Sequence, residues 1–339
     1  MLQYKTFQDN NEKENGELSM KTIGICIPAY QRGEITKQSI LNIYNNNKQL
    51  FDSGTCHFYI SDDCSKDNTF DILSNLNKEI ECITIKKTEK NLGFEGNNGR
   101  CILMCEKDYA WMLGDDDTID VDINEVINRI EESKKDPDFV IIGKYNDIEE
   151  KVYTDKVEAI EKLLYESTWM SGLIYKKSIA NKLDFCRYSE GEFPQTGAIF
   201  EYFGTNDSSI QYIYGPDWAK IMRPGVISYS DRVLDIYARG WTDLVMGLPL
   251  VWTYKEKLKL LSLRKKRGRD MMSNMILMSL RARNGFNSTL LKEYYPYIKL
   301  YNKSPYIILF IISIMPKGIL SFARKKYAKA NNIELIEQG

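Results

Sequence analysis

The stretch Tyr109-Ala-Trp-Met-Leu-Gly-Asp-Asp-Asp117 constrains this chain more than any other. The apolar residues Tyr109 to Leu113 read as a buried strand, Gly114 turns the chain, and three consecutive aspartates follow. That order places Asp115, Asp116 and Asp117 together at the carboxyl end of a strand, which is where ligands bind in open α/β sheets. Adjacent carboxylates repel unless water solvates them or a divalent cation gathers them, and hard cations prefer oxygen ligands. A solvated acidic turn is the bland alternative. The buried strand that leads into the triplet favours a metal site.

The residues upstream repeat the same design. Thr22 to Ile27 is a short apolar strand ended by Pro28, and Pro28 to Arg32 is a loop. Ile40, Ile43, Tyr44 and Phe51 mark a helix over 34–50. His57 to Ser61 is a second strand, running into Asp62-Asp63-Cys64-Ser65. Ser65 to Asn68 can cap a helix carrying Phe70, Leu73 and Leu76. Cys82 to Ile85 is a third strand, and the glycine-bearing loop Asn91 to Asn98 leads into a helix ending near residue 105. Strand and helix alternate as in a parallel sheet covered on both faces. Right-handed crossovers then bring 28–32, 62–65 and 115–117 to one sheet edge. No Gly-x-Gly-x-x-Gly or Walker A pattern occurs, which counts against dinucleotide enzymes and P-loop NTPases.

Downstream, Ile123, Val126, Ile127 and Ile130 form a helix face, Phe139 to Ile142 a strand, and Val157 to Tyr165 a helix. Trp169 to Tyr175 reads as a pocket-lining strand whose Trp169 and Tyr175 either stack on a sugar or pack the core. Residues 184–232, rich in aromatics, glycine and acids, read as an acceptor-facing region. From 233 the chain turns helical. Lys255 to Arg269 is basic with interleaved leucines. Tyr306 to Met315 carries no charge and is followed by Lys317 and Arg324 to Lys326. That run is too short for a bilayer span of roughly 20 residues. It suits either an interfacial helix on an anionic membrane surface or a buried core helix.

Composition removes other classes. Lys+Arg 46 against Asp+Glu 47 provides no basic excess for nucleic acid. The single histidine, His57, nearly excludes His-based triads. Seven cysteines without a Cys-x-x-Cys pair suggest a reducing, cytoplasmic setting and no structural zinc. The polar residues 1–20 read as a loose leader without a secretory signal.

Four motifs, Ile27-Pro-Ala-Tyr-Gln-Arg32, Ser61-Asp-Asp-Cys-Ser-Lys-Asp-Asn-Thr69, Asn91-Leu-Gly-Phe and Tyr109 to Asp117, together resemble glycosyltransferase family 2, including the bacterial transferases of O-antigen and capsule synthesis. The resemblance implies an α/β GT-A fold: a mostly parallel mixed sheet flanked by helices over 21–232, with a helical C-terminal region over 233–339. It implies an inverting transfer from a nucleoside-diphosphate sugar to a hydroxyl of a lipid-linked glycan acceptor; the basic, apolar tail and the place where sugar nucleotides are found point to the cytoplasmic face of the cell membrane. By resemblance, Pro28, Ala29, Tyr30 and Arg32 line the donor site. Asp62, with Asp63 beside it, accepts from the base, and Asn91 and Gly93 shape the back of the pocket. Helix capping is the structural alternative for both aspartates.

The triplet corresponds to the family's metal motif, which holds Mn²⁺ or Mg²⁺. An ungapped overlay makes Asp116 the key ligand, with Asp117 contributing; a literal Asp-x-Asp reading selects Asp115 and Asp117. Asp115 and Asp116 would also face the donor. The catalytic base expected from the family falls near Ser189-Glu-Gly-Glu-Phe193, where the family's Glu-Asp pair is not intact. Glu192 and then Glu190 are the candidates, with Asp207 and Asp217 behind them. Arg223 and Arg232 are candidates for closing over the diphosphate. The rival readings are a non-catalytic sugar-nucleotide-binding module and a sugar nucleotidyltransferase, which would want more glycine after the first strand.

Overall fold

The structure is a computed structural model that describes residues 20–191, 193–221, 232–263, 272–316, 318–320 and 322. The expected leader therefore lies outside the described residues, apart from Met20.

The first half follows the expected alternation: β1 (Ile23–Ala29), α1 (Gly33–Asn46), α2 (Lys48–Asp52), β2 (Cys56–Asp62), α3 (Thr69–Glu79), β3 (Ile83–Lys87), α4 (Gly93–Met104) and β4 (Tyr109–Met112). Next come β5 (Asp117–Ile119), α5 (Ile123–Glu132), β6 (Phe139–Gly143), β7 (Val152–Tyr153), α6 (Lys156–Leu163), β8 (Leu173–Lys176), α7 (Pro194–Thr205), β9 (Ile210–Tyr214) and β10 (Ala219–Ile221). The C-terminal helices are α8 (Trp241–Gly247), α9 (Tyr254–Leu263), α10 (Asn274–Ala282), α11 (Ser288–Tyr301) and α12 (Tyr306–Ile314).

Among the described residues the main sheet has the order β3-β2-β1-β4-β8-β6-β9-β7. The strands from β3 to β4 are parallel. β8 is antiparallel to both β4 and β6, β6 and β9 are parallel, and β7 closes the edge antiparallel. A separate antiparallel pair joins β5 to β10. The period-two alternation of side chains divides the core. Ile25, Phe58, Trp111 and Val140 pack with Ile40, Leu73 and Val126 on one side. Cys26, Tyr59, Met112 and Ile141 pack with Ile102, Ile199 and Phe200 on the other. Tyr109 to Leu113 is buried on both faces, which is why it reads as a continuous apolar run.

Several boundaries differ from the sequence reading, each for a local reason. β1 continues through Pro28 and Ala29, which pair with Ser61 and Asp62 of β2. Its pairing with β4 ends at Cys26↔Met112, so Pro28 needs no N–H on that side. The helix expected over 34–50 breaks at Asn47, whose side chain donates to Ile43 O and accepts from Ile123 N (2.8 Å), tying α1 to α5. Most of the expected glycine loop 91–98 is already helix, because Asp63 supplies acceptors to its first N–H groups. Trp169 to Tyr175 is not one strand. Met170–Gly172 is a 3₁₀ turn and only Leu173–Lys176 is extended.

The expected boundary at 232/233 does not coincide with a break in packing. Trp241, Leu244, Trp252 and Leu261 share a core with Phe200 and Tyr212 of the sheet domain. Trp252 Nε1 donates to Lys156 O at 2.9 Å and its ring meets Phe200 edge-on. A further core forms around Leu277, Phe286, Leu291, Ile298 and Leu309. α12 buries Leu309 and Ile312 there and leaves Ile307, Ile308, Ile311 and Ile314 exposed. Among the described residues no helix is long and apolar enough to cross a membrane. Arg264 to Arg269, Lys317 and Arg324 to Lys326 lie outside the described residues.

Candidate active site

The parallel order β3-β2-β1-β4 brings the three polar segments to one edge, where hydrogen bonds join them. Asp63 N donates to Ala29 O (2.9 Å) and Gln31 N to Ser65 Oγ (3.0 Å). Gln31 and Cys64 both adopt left-handed backbone conformations, φ 55° and 57°. Such strain in non-glycine residues concentrates at functional sites. Tyr30 N donates to Asp115 Oδ2 at 3.1 Å, so the first-strand loop rests on the aspartate turn. Arg32 Nη1 bridges Asp115 Oδ1 (2.7 Å) and Asp116 Oδ2 (2.9 Å).

The three aspartates have different surroundings. Burial pushes the Asp115 carboxyl up, against the pull of Arg32. Burial also lowers the Arg32 guanidinium, but Asp115 and Asp116 outweigh it and raise it overall. Asp117 opens β5 opposite Ile221 of β10. Its carboxylate accepts from the Ser171 hydroxyl, and Gly114 N donates to Ser171 Oγ at 3.0 Å. Ser39 donates to the Asp117 carbonyl. Burial lifts the Asp117 carboxyl to about 6, the Ser171 bond opposing it and the Asp116 charge adding to it.

Gly114 reveals what this turn can hold. A Cβ built there would lie 3.1 Å from Asp117 Oδ2 and 3.5 Å from Asp116 Oδ1. Only a glycine lets these two carboxylates close so tightly on the turn, and paired carboxylate oxygens are a donor set suited to Mg²⁺ or Mn²⁺. Among the described residues no cluster of three or more acidic, histidine or cysteine ligands surrounds this turn. A cation there would draw its other ligands from water or phosphate, the usual habit of Mg²⁺ sites.

Asp62 and Asp63 separate in role. Asp62 is buried, accepts from Ser65 N (3.2 Å), and has Lys87 Nζ 3.8 Å from Oδ2. Its Oδ1 has no hydrogen-bond partner among the described residues. The Asp63 carboxylate is occupied by Leu92 N (2.7 Å) and Gly93 N (3.0 Å). It therefore caps α4, not the next helix in sequence. Gly93 has φ 76°, a turn conformation glycine adopts without strain, and its N–H also reaches Asn91 Oδ1. Tyr30 is partly exposed, while Ala29 is buried within β1.

Glu190 belongs to the 3₁₀ stretch Cys186–Gly191, immediately before α7. Glu192 and Arg223 lie outside the described residues. Asp207 follows α7 and Asp217 lies in the turn before β10. Arg232 precedes the π-helical segment Asp235–Gly240, its carbonyl accepting from Ile236 N. Tyr175 is fully buried, which settles it as core; Trp169 is half-buried with Lys144 Nζ 4.0 Å over its ring. His57 pairs with Thr84 Oγ1 (2.8 Å) between β2 and β3.

Sequence reasoning missed Ser171, Ser39 and Lys144. Ser171 is a single hydroxyl in an aromatic run, 54 residues from the carboxylate it holds. Only the antiparallel insertion of β8 beside β4 makes them neighbours.

Comparison with known proteins bears on family and fold. Residues 24–185 match the family model described as glycosyl transferase family 2. Abequosyltransferase RfbV of Salmonella typhimurium is 24% identical over 221 residues, covering 57% of this chain and 65% of that protein, a little under two thirds of its length. Residues 1–349 of TarS from S. aureus superpose with TM-score 0.53 at 15% identity, covering 93% of each chain. The same fragment in complex with UDP gives 0.51 at 13%, covering 90% of this chain and 92% of that one. The mannosyltransferase PcManGT from Pyrobaculum calidifontis, in complex with GDP-Man and Mn²⁺, gives 0.51 at 10%, covering 92% and 89%. At these identities the structural likeness establishes the fold alone, and that fold is GT-A.

Proposed function

We propose that this chain, a family 2 glycosyl transferase over residues 24–185, moves a sugar from a nucleoside diphosphate to a glycan hydroxyl with inversion. The observation that carries the reading is the joining of the 28–32 loop to the Asp115–Asp117 turn, through Tyr30 N and Arg32, at the carboxyl edge of the parallel strands. The complexes of TarS with UDP and of PcManGT with GDP-Man and Mn²⁺ lend support.

In this reading Asp62 offers its unpartnered Oδ1 to an N–H of the base, and Tyr30 lies beside the ribose. A buried acceptor without a donor is costly, so a base N–H there would bind well. Asp116 and Asp117 would hold Mn²⁺ or Mg²⁺ beside Gly114, with Asp115 fixing the Tyr30 backbone. The bound ion would offset negative charge on the departing diphosphate. Ser171 holds the Asp117 carboxylate in one orientation, as supporting hydrogen bonds do at metal sites. A carboxylate from the segment before α7, Glu192 or Glu190, takes the proton from the acceptor hydroxyl, help worth roughly 10²–10⁴-fold.

The acceptor would be lipid-linked and the enzyme peripheral on the cytoplasmic face of the membrane. The exposed face Ile307, Ile308, Ile311 and Ile314 of α12, followed in sequence by Lys317 and Arg324 to Lys326, supports this.

The test is release of nucleoside diphosphate from a panel of sugar nucleotides, with and without Mn²⁺. Slow metal-dependent release is expected, with Glu192→Gln abolishing transfer and leaving nucleotide binding intact. Nucleotide binding without release under any metal would instead indicate a binding module, and wild-type rates in Glu192→Gln would exclude that residue as the base.

A further inference from the structure

Around the segment whose Ser171 holds Asp117, three elements build a second surface. Lys144, exposed just past the end of β6, holds its ammonium 4.0 Å from the centre of the half-buried Trp169 ring. Its backbone N–H donates to the buried Glu166 at 3.2 Å, which fixes where the side chain begins. Trp169 is backed by Gly172, where a Cβ would stand 3.0 Å from the indole. The first turn of α7 is latched to the same segment. Gln195 Nε2 donates to Thr168 O (2.9 Å) and Thr196 Oγ1 to Ser167 O (2.9 Å). Gln195 is buried, and its Oε1 has no hydrogen-bond partner among the described residues.

This surface is mechanically continuous with the reaction centre. Two residues after Trp169, Ser171 grips Asp117. Just before the α7 turn comes the segment that holds Glu190 and Glu192. An aromatic face beside a cation, tied through Ser171 to Asp117 and through Gln195 and Thr196 to the first turn of α7, suits the stacking and charge pairing of an acceptor.

We propose that Trp169 and Lys144 form the acceptor subsite, and that it takes an anionic saccharide. The sugar ring stacks on the indole, and a carboxylate or phosphate next to that ring pairs with the Lys144 ammonium in place of its contact with the ring. The inference rests on the transferase reading and adds the class of acceptor to it.

The experiment titrates the full chain by calorimetry with matched probes: methyl hexosides, methyl hexuronides and hexose 1-phosphates of the gluco, galacto and manno series. In the wild type at least one anionic probe binds about tenfold tighter than its neutral counterpart. Lys144→Ala removes that preference and Lys144→Arg restores it, while Trp169→Ala weakens both kinds of probe and Trp169→Phe recovers them. A preference for hexuronides identifies an acidic sugar as acceptor; a preference for 1-phosphates identifies a phosphate-linked end. Equal binding of neutral and anionic probes, no binding by any probe, or a preference that survives Lys144→Ala overturns the proposal. Binding of nucleoside-diphosphate sugars with Mn²⁺ is measured separately on the wild type. Its absence would sink the transferase reading and leave the saccharide result standing by itself.

Discussion

The two ends of the central strand carry acidic groups treated in opposite ways. At the amino edge, Asp136 receives Lys21 (2.9 Å), Lys176 (2.6 Å) and the Tyr109 hydroxyl (2.9 Å). Burial would push that carboxyl up, but these partners outweigh it and hold it at about 2. At the carboxyl edge, burial wins: Asp115 is raised despite Arg32, and Asp117 rises to about 6. Tyr109 and Asp117 stand at the two ends of one motif, so sheet architecture is common to both clusters. What differs is partner count. The amino edge is saturated with cations and closes the fold. Among the described residues the carboxyl edge is under-compensated, a single guanidinium serving Asp115 and Asp116, which is the condition for a site that acquires its counter-charge from a ligand.

The largest test of this contrast is Asp116→Asn. Turnover is expected to fall by about 10²–10³-fold, as when a charge-stabilising group is removed from an active site, while the melting temperature stays within about 2 °C of wild type, a change of roughly 1 kcal/mol or less. Retained turnover would strip the carboxyl edge of its role.

Asp117→Asn sharpens the comparison through stability. The folded-state value of Asp117 is raised above the unfolded one, near 3.8, so its ionised form opposes folding at neutral pH. Wild-type stability from this group grows as pH falls through 6 and is complete below the unfolded value. The metal-free variant should therefore melt above the metal-free wild type at pH 8, by an amount on the order of 2 kcal/mol. The gap should close as the pH drops toward 4. A variant less stable than wild type across the range would mean that the Ser171 contact outweighs the burial of charge.

Asp136→Asn is the smallest effect and has the opposite sign. A depressed carboxyl contributes stability above its unfolded value and loses it as pH falls toward 2. Asp136 is 41% exposed, so solvent screening limits its contribution to about 1 kcal/mol. The variant should melt slightly below wild type at pH 7, and the difference should shrink in 1 M salt. No change with salt would point to packing around Tyr109 instead of charge.

Much of this was readable along the chain. The buried run Tyr109 to Leu113, the strands around it and the gathering of 28–32, 62–65 and 115–117 all follow from local pattern and the handedness of crossovers. The α5 face at Ile123, Val126, Ile127 and Ile130 is buried as its spacing requires. Local pattern failed where a distant group decided the outcome. The loop at Asn91 became helix because Asp63 caps it from another segment. Trp241 and Trp252 joined the sheet's core although the region that holds them read as separate.

The sequence by itself determined which residue types would meet at the carboxyl edge, because alternating strands and helices leave a parallel sheet few ways to connect. Only the tertiary structure decided what each carboxylate does there. Asp63 became a helix cap, Asp62 kept an oxygen unpartnered among the described residues, Asp115 and Asp116 share Arg32, and Asp117 turned toward Ser171. Periodicity records burial, which each residue carries with it; a carboxylate's partner is set by residues brought near from far along the chain, and no local signal encodes that.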